Sequence, residues 1–167
     1  MAARTAAVAA TIALCALLQV SLAPGVSSAA TRVTVFGDSA ATAMAYDPDA
    51  RRTLGRGIDL RLEVAACRRV GDASCPYDGV RPPNVIERAT QLGSELGPAV
   101  VVIVGYNDYE ANYAGNIEQA LSVFVRAGVQ RVLWLTLRES RQSYASMNDM
   151  IRDAARRNAV RVGVEAA

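Results

Sequence analysis

AVVVIVGYND, residues 99–108, is six apolar residues that stop abruptly at a Gly-Tyr-Asn-Asp turn. A run that short, mostly β-branched and without polar alternation, reads as a central strand of a parallel sheet covered on both faces. RVTVFGDS, residues 32–39, repeats the arrangement upstream: a short β-branched run, Arg32–Phe36, ends at Gly37-Asp38-Ser39. Two strands that each run into a Gly-, Asn-, Asp- or Ser-containing turn set the frame for everything between and after them.

Ile58–Val64 alternates apolar and polar residues before a loop rich in Gly, Pro and Cys, and reads as a second strand. Pro83–Leu96 carries Val85, Ile86, Ala89, Leu92 and Leu96 at helical spacing, with a proline suited to a helix start. Ile117, Leu121, Phe124 and Val125 form another stripe, with Gly128 placed for a helix C-terminus. Val132–Leu137 is a further buried strand, its Trp134 a core residue. Tyr144, Met147, Ile151 and Ala155 make a third stripe ending near Asn158, before a last short strand over Val160–Val164. Five strands separated by helices predict a single α/β domain over residues 31–167, three layers deep, with a five-stranded, mainly parallel sheet and right-handed crossovers. In the flavodoxin-like order 2-1-3-4-5, the first and third strands are neighbours, and their C-terminal ends flank the crevice where such sheets bind ligands.

The composition narrows the chemistry. The 167 residues contain no histidine, and all 18 basic residues are arginine. Ser-His and Cys-His couples, His-ligated metals, Schiff bases and a Walker lysine are thereby excluded from this chain. A scattered net charge of +2 gives no reason to expect nucleic acid as a partner. No phosphate loop, dinucleotide fingerprint or metal-ligand cluster stands out, so no cofactor is expected.

Arg4 is the only charge in the first 31 residues, an apolar run extends from Ala6 to about Leu22, and Ser28-Ala29-Ala30 supplies small residues for cleavage. Residues 1–30 read as a secretory signal peptide, which makes the mature chain secreted, extracellular and free of the membrane. Cys15 follows Leu14 inside the apolar run, which argues against a lipid anchor. The two remaining cysteines, Cys67 and Cys75, then read as a disulfide, for which the chain-entropy account gives a stabilisation of roughly 2–3 kcal/mol.

Gly37-Asp38-Ser39 and Gly105-Tyr106-Asn107-Asp108 follow adjacent strands. A serine at a strand-to-helix turn offers a nucleophilic hydroxyl and its own N–H, and an asparagine on the neighbouring turn offers an amide. Together they describe a nucleophile and two donors for an acyl-transfer oxyanion.

At these residues the chain resembles the SGNH (GDSL-type) esterases and lipases. Val35–Ser39 is similar to the family's first block and places Ser39 as nucleophile; Gly105–Asp108 is similar to the G-x-N-D block and places Asn107 in the oxyanion hole. The family's second block supplies one glycine N–H after the second strand, for which the resemblance offers Gly79 or, less favourably, Gly71. It implies hydrolysis of a small acyl ester or acylated glycan by a monomer.

The family's last block, D-x-x-H after the fifth strand, has no counterpart before Ala167. The expectation is therefore a C-terminally shortened serine esterase of impaired activity, since losing a triad member leaves only about 10³–10⁴ of acceleration over water. A non-catalytic module that binds an acylated or sugar ligand is the second reading, and a base borrowed from another subunit the third. Asp38 and Asp108 are expected to fix loop hydrogen bonds rather than act as base. Tyr106, Tyr109 and Tyr113 are expected either to offer a stacking platform for a sugar ring or to pack a long loop.

Overall fold

The computed structural model describes residues 30–139 and 143–167; of the signal peptide read over residues 1–30, all but the last residue lies outside them. Five strands form one sheet: β1 (Arg32–Gly37), β2 (Asp59–Val64), β3 (Ala99–Ile103), β4 (Arg131–Trp134) and β5 (Gly163–Ala166). Their order is β2-β1-β3-β4-β5, every pair parallel. Val33 lies between Leu60 and Ala99, and Gly37 between Val64 and Ile103, so β1 and β3 end side by side. The α/β class, the parallel sheet and its strand order are as the sequence predicts.

The crossovers explain where the helices fall. From β2 to β3, β4 and β5 the chain steps in one direction, so right-handed connections put α3 (Val85–Leu92), α4 (Glu110–Arg126) and α5 (Ala145–Asn158) on one face. The step from β1 to β2 runs the other way, leaving only α1 (Ala43–Tyr46) and α2 (Pro48–Leu54) for the opposite face.

The core lies under α3, α4 and α5. Phe36, Val100, Val102, Val132 and Trp134 pack there against Val85, Ile117, Leu121, Phe124, Met147 and Ile151, and the rings of Phe36 and Phe124 stack with centroids 5.9 Å apart. Trp134 is a core residue as expected; its indole N–H donates to the Tyr113 hydroxyl, which donates to Val104 O. The other face differs from the expectation of a strand covered on both sides. Along β3, Val100 and Val102 are buried whereas Val101 and Ile103 are half-buried. With Val33, Val35, Leu133, Leu135, Met44, Leu54, Ile58 and Leu60 they line an apolar groove of about 360 Å³. Among the described residues, α1 and α2 are too short to cover that face.

Several element ends shift from the sequence reading for local reasons. Helix α3 begins at Val85 rather than Pro83, because Asn84 caps it: its side chain accepts from Glu87 N–H while the Glu87 carboxylate accepts from Asn84 N–H. Gly93, at φ +51°, ends the helix, and Gly93–Leu96 continues as a 3₁₀ turn. Strand β4 stops at Trp134 instead of Leu137, since both backbone groups of Leu137 are taken by the buried side chain of Asn148. Strand β5 begins at Gly163 instead of Val160: the N–H groups of Arg161 and Val162 still bond Asn158 O, so Val160 projects fully into solvent.

Candidate active site

Ser39 reaches the sheet edge because of Gly37. A Cβ on Gly37 would lie 2.4 Å from Ala41 Cβ, so only glycine lets the 3₁₀ turn Ser39–Ala41 fold back on the end of β1. Ser39 is exposed, its carbonyl accepts from the Thr42 N–H and hydroxyl, and its own hydroxyl bonds none of the described residues.

Asp38 joins the two motif turns. Fully buried, it accepts from Ala40 N–H through Oδ1 at 2.9 Å and from Gly105 and Tyr106 N–H through Oδ2, both at 3.3 Å, while its own N–H donates to Ile103 O. Burial raises its pKa, and the three N–H donors oppose the rise. The loop-fixing role expected of Asp38 thus has a definite geometry: one carboxylate holds the Ser39 turn and the Gly105–Asp108 turn together.

Asn107 is held from the β2–α3 connection. The guanidinium Nε of Arg69 donates to Asn107 O at 2.6 Å, and Asn107 Nδ2 reaches Arg68 O at 3.5 Å, a long bond that leaves the amide loosely engaged. Asp108 Oδ1 accepts from Val70 N–H at 2.9 Å, while its Oδ2 is buried with no partner among the described residues. Its pKa is pushed up to about 7, chiefly by burial, with the nearby carboxylates of Asp72 and Asp38 adding to the rise and Val70 N–H and Arg69 opposing it.

The loop that carries these contacts is closed by the disulfide Cys67–Cys75, as the sequence predicts, with Cα atoms 5.2 Å apart. Within it Arg69 also donates to Ala73 O, and its guanidinium lies 4.1 Å from the centroid of the Tyr109 ring. Arg68 is buried, bonding Glu63 O and sitting over Phe36; burial lowers its pKa. Sequence reasoning passed over both arginines, because nothing local marks a loop side chain that meets a turn 38 positions further on.

The two glycines offered for the second block have different surroundings. Gly79 is exposed in the Tyr77–Val80 turn, where its φ of +75° and that of Asp78 at +51° suit a tight reversal closed by two hydrogen bonds between Tyr77 and Val80. Gly71 is half-buried, and a Cβ there would meet Asn116 Oδ1 at 2.4 Å. In this connection Asn107 Nδ2 reaches Arg68 O, and the N–H of Val70, next to Gly71, donates to Asp108 Oδ1.

The three tyrosines of the turn part company. Tyr113 is wholly buried, Tyr106 is half-buried with its hydroxyl accepting from Arg138 N–H and its ring edge-on to Tyr144, and Tyr109 is 56% exposed. Burial pushes the Tyr113 hydroxyl far above its ordinary pKa. Among the described residues no group of three His, Cys, Asp or Glu side chains is placed to hold a metal ion.

No protein-family description and no curated protein matches the chain. Among solved structures, a carbohydrate acetylesterase family member from Sinorhizobium meliloti is similar, with a TM-score of 0.56 over 81% of this chain and 82% of that one. At 16% identity the likeness is one of fold: the chain shares an α/β architecture with that protein, and its two motif turns lie at the ends of neighbouring central strands.

Proposed function

We propose that the chain is the body of a secreted serine ester hydrolase of SGNH type. Ser39 is its nucleophile, and the Ser39 N–H and Asn107 amide are its oxyanion donors. The observation that carries this reading is Asp38, whose three accepted hydrogen bonds brace the serine turn against the asparagine turn. Attack by Ser39 Oγ on an ester carbonyl would form a tetrahedral centre, and donors fixed in advance on two braced turns stabilise the negative oxygen without reorganising. The β2–α3 connection is the place for a third donor, with Gly79 and Gly71 the glycines the family pattern offers. The disulfide supports an oxidising, extracellular setting. No helix among the described residues is long and apolar enough to cross a membrane.

Proton transfer is the missing function. With no histidine in the 167 residues, Ser39 has no imidazole base from this chain, and Asp38 is fully engaged in hydrogen bonding. That engagement favours a second reading, a module that binds an ester- or sugar-containing ligand without turnover.

Added imidazole separates the two. Nitrophenyl acetate hydrolysis by the chain is expected to be slow in plain buffer and to rise with imidazole above the imidazole-only rate, and Ser39→Ala is expected to abolish the increment. Equal rates for wild type and Ser39→Ala at every imidazole concentration would exclude Ser39 as nucleophile and leave the binding module. Fast turnover without imidazole that vanishes in Ser39→Ala would establish the hydrolase and show that its base is already in place.

A further inference from the structure

The exposed aromatic side chains are not scattered. Phe36, Tyr113, Phe124 and Trp134 are buried, and the strongly exposed aromatics among the described residues are Tyr46 at 82%, Tyr77 at 63% and Tyr109 at 56%. Each lies on a different connection leaving the C-terminal end of a strand: Tyr46 after β1, Tyr77 after β2 and Tyr109 after β3. Ser39 and Asn107 lie on the first and third of these connections, and the second bonds Asn107 through Arg68 and Arg69.

Each is also flanked by an acid. Asp47 follows Tyr46, Asp78 follows Tyr77, and Asp108 and Glu110 bracket Tyr109; Asp47, Asp78 and Glu110 are exposed. A pyranose ring has an apolar C–H face and an edge of hydroxyl donors, so an aromatic face beside carboxylate acceptors matches both. Patches that dock proteins favour contiguous apolar surface with charge depleted at the centre. Here three separate tyrosines stand among acids.

Tyr109 is the best prepared of the three. Arg69 covers one face of its ring at 4.1 Å and is itself pinned by its bonds to Asn107 O and Ala73 O. Tyr109 is 56% exposed, and the side of the ring away from Arg69 is the one left for a ligand to approach. The ring therefore loses little freedom on binding, and the clamp that orders it also holds Asn107. Asp72, whose carboxylate accepts from Asn112 and Asn116, extends the polar surroundings along the start of α4.

We propose that the rim built by the connections after β1, β2 and β3 binds a glycan, with a sugar ring stacked on the open face of Tyr109 and its acyl group carried toward Ser39 and Asn107. The proposal rests on the ester-hydrolase reading for the role of that acyl group, but not for binding itself.

Saturation-transfer NMR with cellotriose, xylotriose and chitotriose tests it on the whole chain, with nitrophenyl acetate hydrolysis in added imidazole measured alongside. At least one trisaccharide is expected to show saturation of its ring C–H protons. Tyr109→Ala should weaken its binding roughly tenfold, as loss of about 1.4 kcal/mol of stacking would, while Tyr109→Phe should retain it. Tyr46→Ala and Tyr77→Ala, at more exposed positions, should weaken it less. No saturation from any of the three sugars, or equal binding by Tyr109→Ala, would overturn the proposal. So would dimerisation in light scattering that Tyr109→Ala abolishes without any sugar binding, since the rim would then be a protein contact. Sugar binding through Tyr109 without any Ser39-dependent hydrolysis would uphold the glycan rim and reject the hydrolase; Ser39-dependent hydrolysis without sugar binding would do the reverse.

Discussion

Replacing Asp108 with asparagine changes the pH dependence of stability more than it changes the structure. Asp108 Oδ1 accepts from Val70 N–H and Oδ2 is buried without a partner. Asp72, Asp38, Arg69 and the buried Tyr113 are the titratable groups around it. Its pKa in the fold is about 7, against 3.8 for the free group. A carboxyl whose pKa is raised by folding binds its proton more tightly in the native state than in the unfolded one. Stability therefore falls as pH rises above 3.8 and levels off beyond about 7. Between pH 5 and 8 about two pH units of that fall remain, at about 1.4 kcal/mol each, so the ceiling is about 3 kcal/mol. Partial solvent access at a half-buried residue reduces this, and about 1.5 kcal/mol is the expected loss. Asparagine keeps the acceptor for Val70 and does not ionise. Urea unfolding followed by Trp134 fluorescence at pH 5, 6, 7 and 8 should show wild type losing about 1.5 kcal/mol relative to Asp108→Asn across the series. The variant should be somewhat less stable than wild type at pH 5, where its amide N–H₂ is a buried donor in place of a protonated oxygen, and should gain on it steadily. Parallel curves would refute the reasoning, because they would mean that Asp108 ionises in the fold as freely as in the unfolded chain.

Two further substitutions probe how the fold is held. Val102→Ala, in the covered core, should cost about 2 kcal/mol in urea unfolding, and Val101→Ala, on the groove face one residue away, less than half as much; equal costs would mean that the groove face is as well packed as the core. Cys67→Ser with Cys75→Ser should lower stability by roughly 2–3 kcal/mol, and because this loop carries Arg68, Arg69 and Val70, the amide resonances of Asn107 and Asp108 should broaden or move. Unchanged resonances there would show that the loop holds its contacts without the bridge.

The parts of the fold that could be read from the sequence are those specified locally. β1 and β3 announce themselves by β-branched runs that end in turn residues, and the flavodoxin-like order expected for such a sheet then makes their ends neighbours. The groove face could not be read that way. AVVVI looks the same whether a helix or solvent lies over Val101 and Ile103, and the difference comes from the direction in which each crossover steps. Tyr113 was readable in part: it stands four residues before Ile117 and eight before Leu121, on the buried stripe of α4, which separates it from Tyr109. The second-block glycine was not, because a lone glycine in a loop answers equally to a tight reversal, as at Gly79, or to close packing, as at Gly71 against Asn116.

Asp38 bears on where the proposed nucleophile could find a base. From the sequence, the carboxylate next to the serine is expected to fix loop hydrogen bonds rather than to act as base. In the fold it accepts three N–H bonds, one from the serine turn and two from the asparagine turn, so protonating it would weaken the brace between those turns. The same group cannot both hold the donors in place and take up the proton of Ser39 at each turnover. In the proposed hydrolase, oxyanion binding and proton transfer are therefore separable: Asp38, Gly37 and the Arg69 clamp would shape the first, and the second would come from a group other than these. On that reading the shape of the site does not depend on whether the serine is activated, which is why binding and imidazole-dependent hydrolysis have to be measured as two independent properties.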